Sequence, residues 1–113
     1  MTIQERRVES VTILELKGWL VYDDGDALLR QRVDELVGEG RVQIVVDFTG
    51  VDYIDSAGVG VLIAKYLSVR RKGGDLKLLR LSPRPLHVLE ISHLRTVFQV
   101  FDSEDEAVRS FDA

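Results

Sequence analysis

Ile54-Asp55-Ser56-Ala57-Gly58-Val59-Gly60 joins an apolar run, Val42 to Phe48, to an amphipathic one, Val59 to Arg71. A buried strand that passes through a tight, glycine-bearing turn into a helix is the unit from which parallel sheets with helical crossovers are built. The turn also holds a serine where strand and turn meet a helix N-terminus. Its hydroxyl is expected to be open to solvent and to lie in a positive backbone field, where a phosphate could be accepted and held.

The same grammar continues on both sides of the turn. Ile3 to Val8 reads as a short strand, and Val11 and Ile13 alternating with Thr12, Leu14 and Leu16 reads as a second strand that Gly18 ends. Asp23 or Asp24 can cap the next segment, where Leu29, Val33, Leu36 and Val37 fall on one helical stripe and Gly38 or Gly40 supplies the stop. In the following strand Val42, Ile44, Val46 and Phe48 point one way while Gln43, Val45 and Asp47 point the other.

Beyond the turn, Val59, Leu62, Ile63 and Tyr66 give a helix its core face, and Arg70, Arg71 and Lys72 complement its dipole before Gly73 and Gly74. Leu76 to Leu81 is the next strand, and Ser82-Pro83 opens a short helix through about Ile91. Phe98 to Phe101 is a short strand. Ser103 with Glu106 forms a capping box for a last helix whose apolar side is Ala107, Val108 and Phe111.

Two strands followed by alternating helices and strands predict an α/β fold, a mostly parallel mixed sheet of about four to five strands with one early antiparallel partner. One sheet face is apolar, and Glu15, Gln43, Asp47 and Lys77 fall on the other. About four helices are therefore expected mainly on one face, with the second partly open or used in association, as in a homodimer.

At 113 residues, 45% hydrophobic and 30% charged, the chain is read as one domain over 1–113. Its net charge of -4 argues against a nucleic-acid partner, since counterion release needs clustered Lys and Arg. There is no cysteine, hence no disulfide or thiolate metal site, and no window resembles a membrane span or a signal core. A cytoplasmic location is the expectation.

Each catalytic reading of the turn lacks a part. Ile54 stands where a GxSxG nucleophile elbow needs its first glycine, and the histidines available as a base, His87 and His93, have the setting of surface residues. Ile63 stands where a dinucleotide fingerprint needs its third glycine, and no GxxxxGK[ST] loop exists. Asp52 with Asp55, and Asp23, Asp24 and Asp26, read as turn and cap acids before they read as acid–base pairs or metal ligands, and Gly25 does not complete a calcium loop. No cofactor or metal is expected, and the chain is read as a non-enzyme. Trp19, Val21 and Tyr22 lie in the loop after the second strand; core contact is expected for at least one of them, and an exposed recognition patch is the alternative.

The stretch VVDFTGVDYIDSAGVGVLIAKYLSVRRKGGDLKLLRLSPRPLHVLEISHL, Val45 to Leu94, resembles the anti-sigma-factor antagonists, the stand-alone bacterial STAS domains. The resemblance rests on the strand ending in Asp47, the Asp55-Ser56 pair followed by Gly58 and Gly60, the helix ending in Lys72-Gly73-Gly74, and Leu81-Ser82-Pro83. It implies that Ser56 is phosphorylated by an anti-sigma factor that is itself a serine kinase, and that a PP2C-type phosphatase resets it. It also implies that Asp55, Ser56, Ala57, Gly58, Val59 and Gly60 form the partner contact. A constitutive scaffold subunit of a sensory or lipid-transport assembly is the alternative. Four positions depart from the family pattern: Trp19 and Val21 flank Leu20 where acids are common, Ala57 replaces a second hydroxyl, and His93 stands where a glycine often ends the third helix.

Overall fold

The structure, a computed structural model, describes residues 1–112. Alternation along β2 (Val11–Lys17) puts Leu14 and Leu16 on one side and Val11 and Ile13 on the other, and β2 pairs antiparallel with β1 (Thr2–Val8). On its other edge β2 pairs parallel with β3 (Gln43–Gly50), β3 with β4 (Asp75–Leu79), and β4 with β5 (Val100–Phe101). The sheet order is therefore β1-β2-β3-β4-β5, the mixed and mostly parallel arrangement expected.

One face of this sheet carries the main core. Leu14, Leu16, Ile44, Val46, Phe48, Leu76 and Leu78 meet the buried residues of α1 (Gly25–Gly38), α2 (Ser56–Arg71) and α3 (Pro83–Ile91). Phe98, expected in the last strand, instead packs into this core, its ring 5.2 Å from that of Tyr66. β5 is confined to Val100–Phe101.

The three helices end in the same way. The residue after each C-cap is left-handed, Gly40 at φ 77°, Gly73 at φ 84° and His93 at φ 59°. Paired bonds run back from Arg41 to Leu36, from Gly74 to Val69 and from Leu94 to Leu89 at 2.8, 3.0 and 2.9 Å. This is the Schellman closure, which satisfies carbonyls that the helix leaves orphaned. Histidine adopts it at a steric cost that glycine does not carry.

Several local expectations are corrected. Ser82 sits at the N-cap of α3, yet its hydroxyl donates to the Val51 carbonyl at 2.8 Å and ties α3 to the end of β3. Asp24 sits at the N-cap of α1 without a side-chain cap bond, and the Asp26 carboxylate accepts from Asp24 and Ala27 instead. β4 stops at Leu79 because Arg80 turns left-handed at φ 54°. Lys65, on the helical stripe between Leu62 and Val69, is buried and pairs with Asp34 at 2.7 Å, joining α2 to α1.

The second face is not left to polar residues alone. α4 (Glu104–Arg109), capped by Ser103 through the Glu106 N–H, lays Ala107 and Val108 over Val11, Ile13, Val45 and Leu79. Arg6, Glu15 and Glu104 form an ion-pair cluster beside it. Lys77 is buried on this face: its Nζ donates to Ser110 Oγ at 2.7 Å and lies 4.1 Å from the centroid of the Phe111 ring. Burial pushes its ammonium below the ordinary lysine range, and the charge of Asp75 opposes that only in part.

Lys77 therefore adds a pH term to stability. A lysine whose pKa is lowered in the fold binds fewer protons there than in the unfolded chain, so its unfavourable contribution fades as pH rises through the lowered value towards 10.5. Lys77→Met, apolar and of similar length, is expected to match or exceed the wild-type melting temperature at pH 7. That advantage should shrink as the melts are repeated towards pH 10.

Candidate functional site: the Asp55-Ser56 turn

The site is built where two loops cross. β3 runs out at Gly50, and the chain between it and α2 lies beside the segment that leaves β2. Leu20 and Ile54 form an isolated parallel bridge, with the Leu20 N–H donating to the Tyr53 carbonyl at 3.1 Å and the Asp55 N–H to the Leu20 carbonyl at 3.3 Å. Leu20 itself is fully buried. Among the large residues after Gly18 the core contact falls to Leu20, while Trp19 and Tyr22 are 56% and 75% exposed and Val21 is half-buried.

Gly58 is what lets the loops meet. A Cβ there would lie 2.2 Å from the Leu20 carbonyl oxygen and 2.7 Å from the Ile54 side chain. Gly60 differs, since a Cβ on it would meet nothing within 4 Å. The first glycine is needed for packing inside the chain; the second leaves the outer surface of the helix low and open.

Asp55 caps α2. Its Oδ1 accepts the Gly58 N–H at 2.9 Å, and its Oδ2 accepts the Tyr22 N–H at 3.0 Å. Partial burial works against ionisation, but the N–H groups of Tyr22, Gly58 and Ala57 outweigh it and hold the carboxyl below the ordinary range. Ser56 is the first residue of the helix proper, exposed, and among the described residues its hydroxyl makes no hydrogen bond. Capping thus belongs to Asp55 and leaves the Ser56 oxygen free.

Around the turn stand Ala57, half-buried, Val59, buried, and an aromatic pair. Trp19 and Tyr53 rings lie 5.4 Å apart, and Trp19 Nε1 donates to Asp52 at 3.0 Å. Tyr53 also lines an apolar groove of about 320 Å³ together with Ile54, Pro83, Val88 and His87. The six residues read from the sequence as one contact therefore divide. Ser56 and Gly60 face solvent, Asp55 and Ala57 are half-buried, and Gly58 and Val59 turn inward. The contributions of Leu20 and of the Tyr22 N–H were not apparent in the sequence; the signal that could have found them is Gly58, a glycine inside a helix that needs a reason.

Among the described residues no group of three or more His, Asp or Glu side chains could hold a metal ion, and His87 and His93 are both exposed. No helix among them is long and apolar enough to cross a membrane.

The STAS domain model matches residues 2–107, and the chain belongs to that family. It is 26% identical over 109 residues to the anti-sigma F factor antagonist of Paenibacillus polymyxa, covering 96% of this chain and 92% of that one. With the anti-sigma-B factor antagonist of Listeria monocytogenes the identity is 31% over 109 residues, covering 92% and 90%. The fold is also that of the Bacillus cell fate determinant SpoIIAA in its phosphorylated form, with a TM-score of 0.75, 22% identity and coverage of 96% and 98%.

The two glycines predict opposite outcomes. Gly58→Ala drives a methyl group into the Leu20 carbonyl and should cost about 1–3 kcal/mol or more in urea unfolding. Gly60→Ala, at an exposed helical position with free space, should instead gain about 0.5–1 kcal/mol. Titration of Asp55 by carboxyl NMR should give a value below the ordinary ~3.9. Its stabilising contribution is complete above the unfolded-state value and disappears as pH falls through the lower folded one.

Proposed function

We propose that this chain is an anti-sigma factor antagonist switched at Ser56: unmodified, it binds a serine-kinase anti-sigma factor and frees the sigma factor; phosphorylated, it lets go. The observation that carries this reading is the division of labour at the helix start, where Asp55 takes the cap and leaves the Ser56 hydroxyl exposed and unbonded. A serine serving as the helix cap would hold its oxygen on a backbone N–H. The names of the relatives support the same reading.

The chemistry belongs to the partner. Ser56 Oγ attacks the γ-phosphorus of ATP, the new O–P bond forms as the bond to ADP breaks, and the hydroxyl proton passes to a base of the kinase. This chain is substrate and ligand rather than enzyme. A PP2C-type phosphatase returns the serine by hydrolysing the ester to phosphate, and all of this takes place in the cytoplasm.

The direction of the switch follows from where the charge lands. A phosphoryl group adds about -1.5 to -2 charges, which the helix N-terminus tolerates in the free protein. In a close interface, which the open surface at Gly60 permits, the same charge beside Asp55 is desolvated and repelled. Affinity falls while the fold survives.

Incubation with ATP and the kinase-type anti-sigma factors of the source genome, followed by mass spectrometry, should place one phosphate on Ser56 and none on a Ser56→Ala control. Ser56→Asp should weaken binding to that kinase by at least about tenfold while leaving the thermal melt within a few degrees. Absence of modification by any such kinase would favour a constitutive scaffold, and a collapsed melt would make Ser56 structural.

A further inference from the structure

One carboxylate at this site serves two elements. Asp55 Oδ1 closes the first turn of α2 through Gly58, and Oδ2 holds the N–H of Tyr22 in the segment between β2 and α1. The ring of Tyr22 is 75% exposed, so burial does little to keep this residue in place. Its two flanks are held differently. Leu20 is anchored by its buried side chain and by backbone bonds to Tyr53 and Asp55, whereas the Val21 carbonyl accepts the 3.3 Å bonds from Asp24 and Asp26 that lead into α1. The Tyr22 N–H depends on the Asp55 side chain.

A phosphate on Ser56 would arrive one residue from that carboxylate. It brings three strong acceptor oxygens to a helix start whose Ala57 and Gly58 N–H groups now stabilise ionised Asp55, and it repels the carboxylate directly. Both effects loosen the grip of Asp55 on its acceptor positions. The Leu20 bonds run from backbone to backbone and are not drawn into that competition.

We propose that Asp55 is a positioning residue that transmits the state of Ser56 to Tyr22: phosphorylation releases Tyr22 from the carboxylate while Leu20 stays as the fixed end of the segment. This rests on Ser56 being the phosphoacceptor and extends that reading. The modification then has two outputs at one surface, a new charge at the helix start and an exposed aromatic residue no longer held beside it.

The test needs no kinase, so its failure is separable from failure to find one. Phosphoserine is inserted at position 56 during translation of the full chain, and amide exchange is followed by ¹⁵N NMR against the unmodified protein. Losing a bond to a charged acceptor should speed exchange at Tyr22 by about tenfold or more, with Leu20 unchanged. Asp55→Ser, which keeps an N-cap oxygen for Gly58 but has no second acceptor for Tyr22, should free Tyr22 to a similar degree with Gly58 still protected. Phosphoserine added to that variant should then change Tyr22 little further. Exchange at Tyr22 within twofold of the unmodified protein, or equal acceleration at Leu20, would overturn the proposal. Should Asp55→Ser not fold, the phosphoserine comparison in the otherwise native chain decides it alone.

Discussion

The contact on which the site depends is the approach of the Leu20 carbonyl to the backbone of α2 at Gly58. There is room for a hydrogen and not for a methyl group, the would-be Cβ lying 2.2 Å from that oxygen. Because the loops meet so closely, Leu20 can bridge to Ile54, and Asp55 can reach both the helix behind it and the Tyr22 N–H beside it. Remove the close approach and the cap, the bridge and the exposed aromatic residues lose their common frame.

That frame stands on a sheet with two unequal faces. The face carrying Leu14, Val46, Phe48 and Leu78 is covered by three helices and sets where β3 delivers the chain to the turn. The other is covered at one end by α4, with buried Lys77 pinned under Phe111, and is polar around Arg6, Glu15 and Glu104. A sheet seated in this way gives the turn a rigid base. The modification proposed at Ser56 would then act on a few local contacts without disturbing the core.

The physical economy of the turn lies in separating two tasks that serines at helix starts often combine. Asp55, ionised and held low by backbone donors, supplies the cap. Ser56 is thereby left with an exposed oxygen at the positive end of a helix, while Gly60 keeps the surface beyond it open. The arrangement is compatible with the proposed role, in which Ser56 is the residue a partner modifies.

The order of strands and helices was legible in the sequence because period-two and helical patterns report burial directly: β2, β3, α1 and α2 are where the alternation and stripes put them. The left-handed end of α3 at His93 falls where the family resemblance, rather than periodicity, placed a glycine. What the pattern missed were contacts between segments distant along the chain. Ser82 has the sequence of a cap but bonds to Val51, Phe98 has the look of a strand residue but fills the core, and α4 turned to the face read as polar. The sequence by itself determined which segments form elements, and that Asp55-Ser56 opens a helix. The tertiary structure decided that Asp55 also holds Tyr22 and that Ser56 holds nothing, because hydrogen bonds between two loops depend on their crossing in space, which periodicity along one segment does not encode.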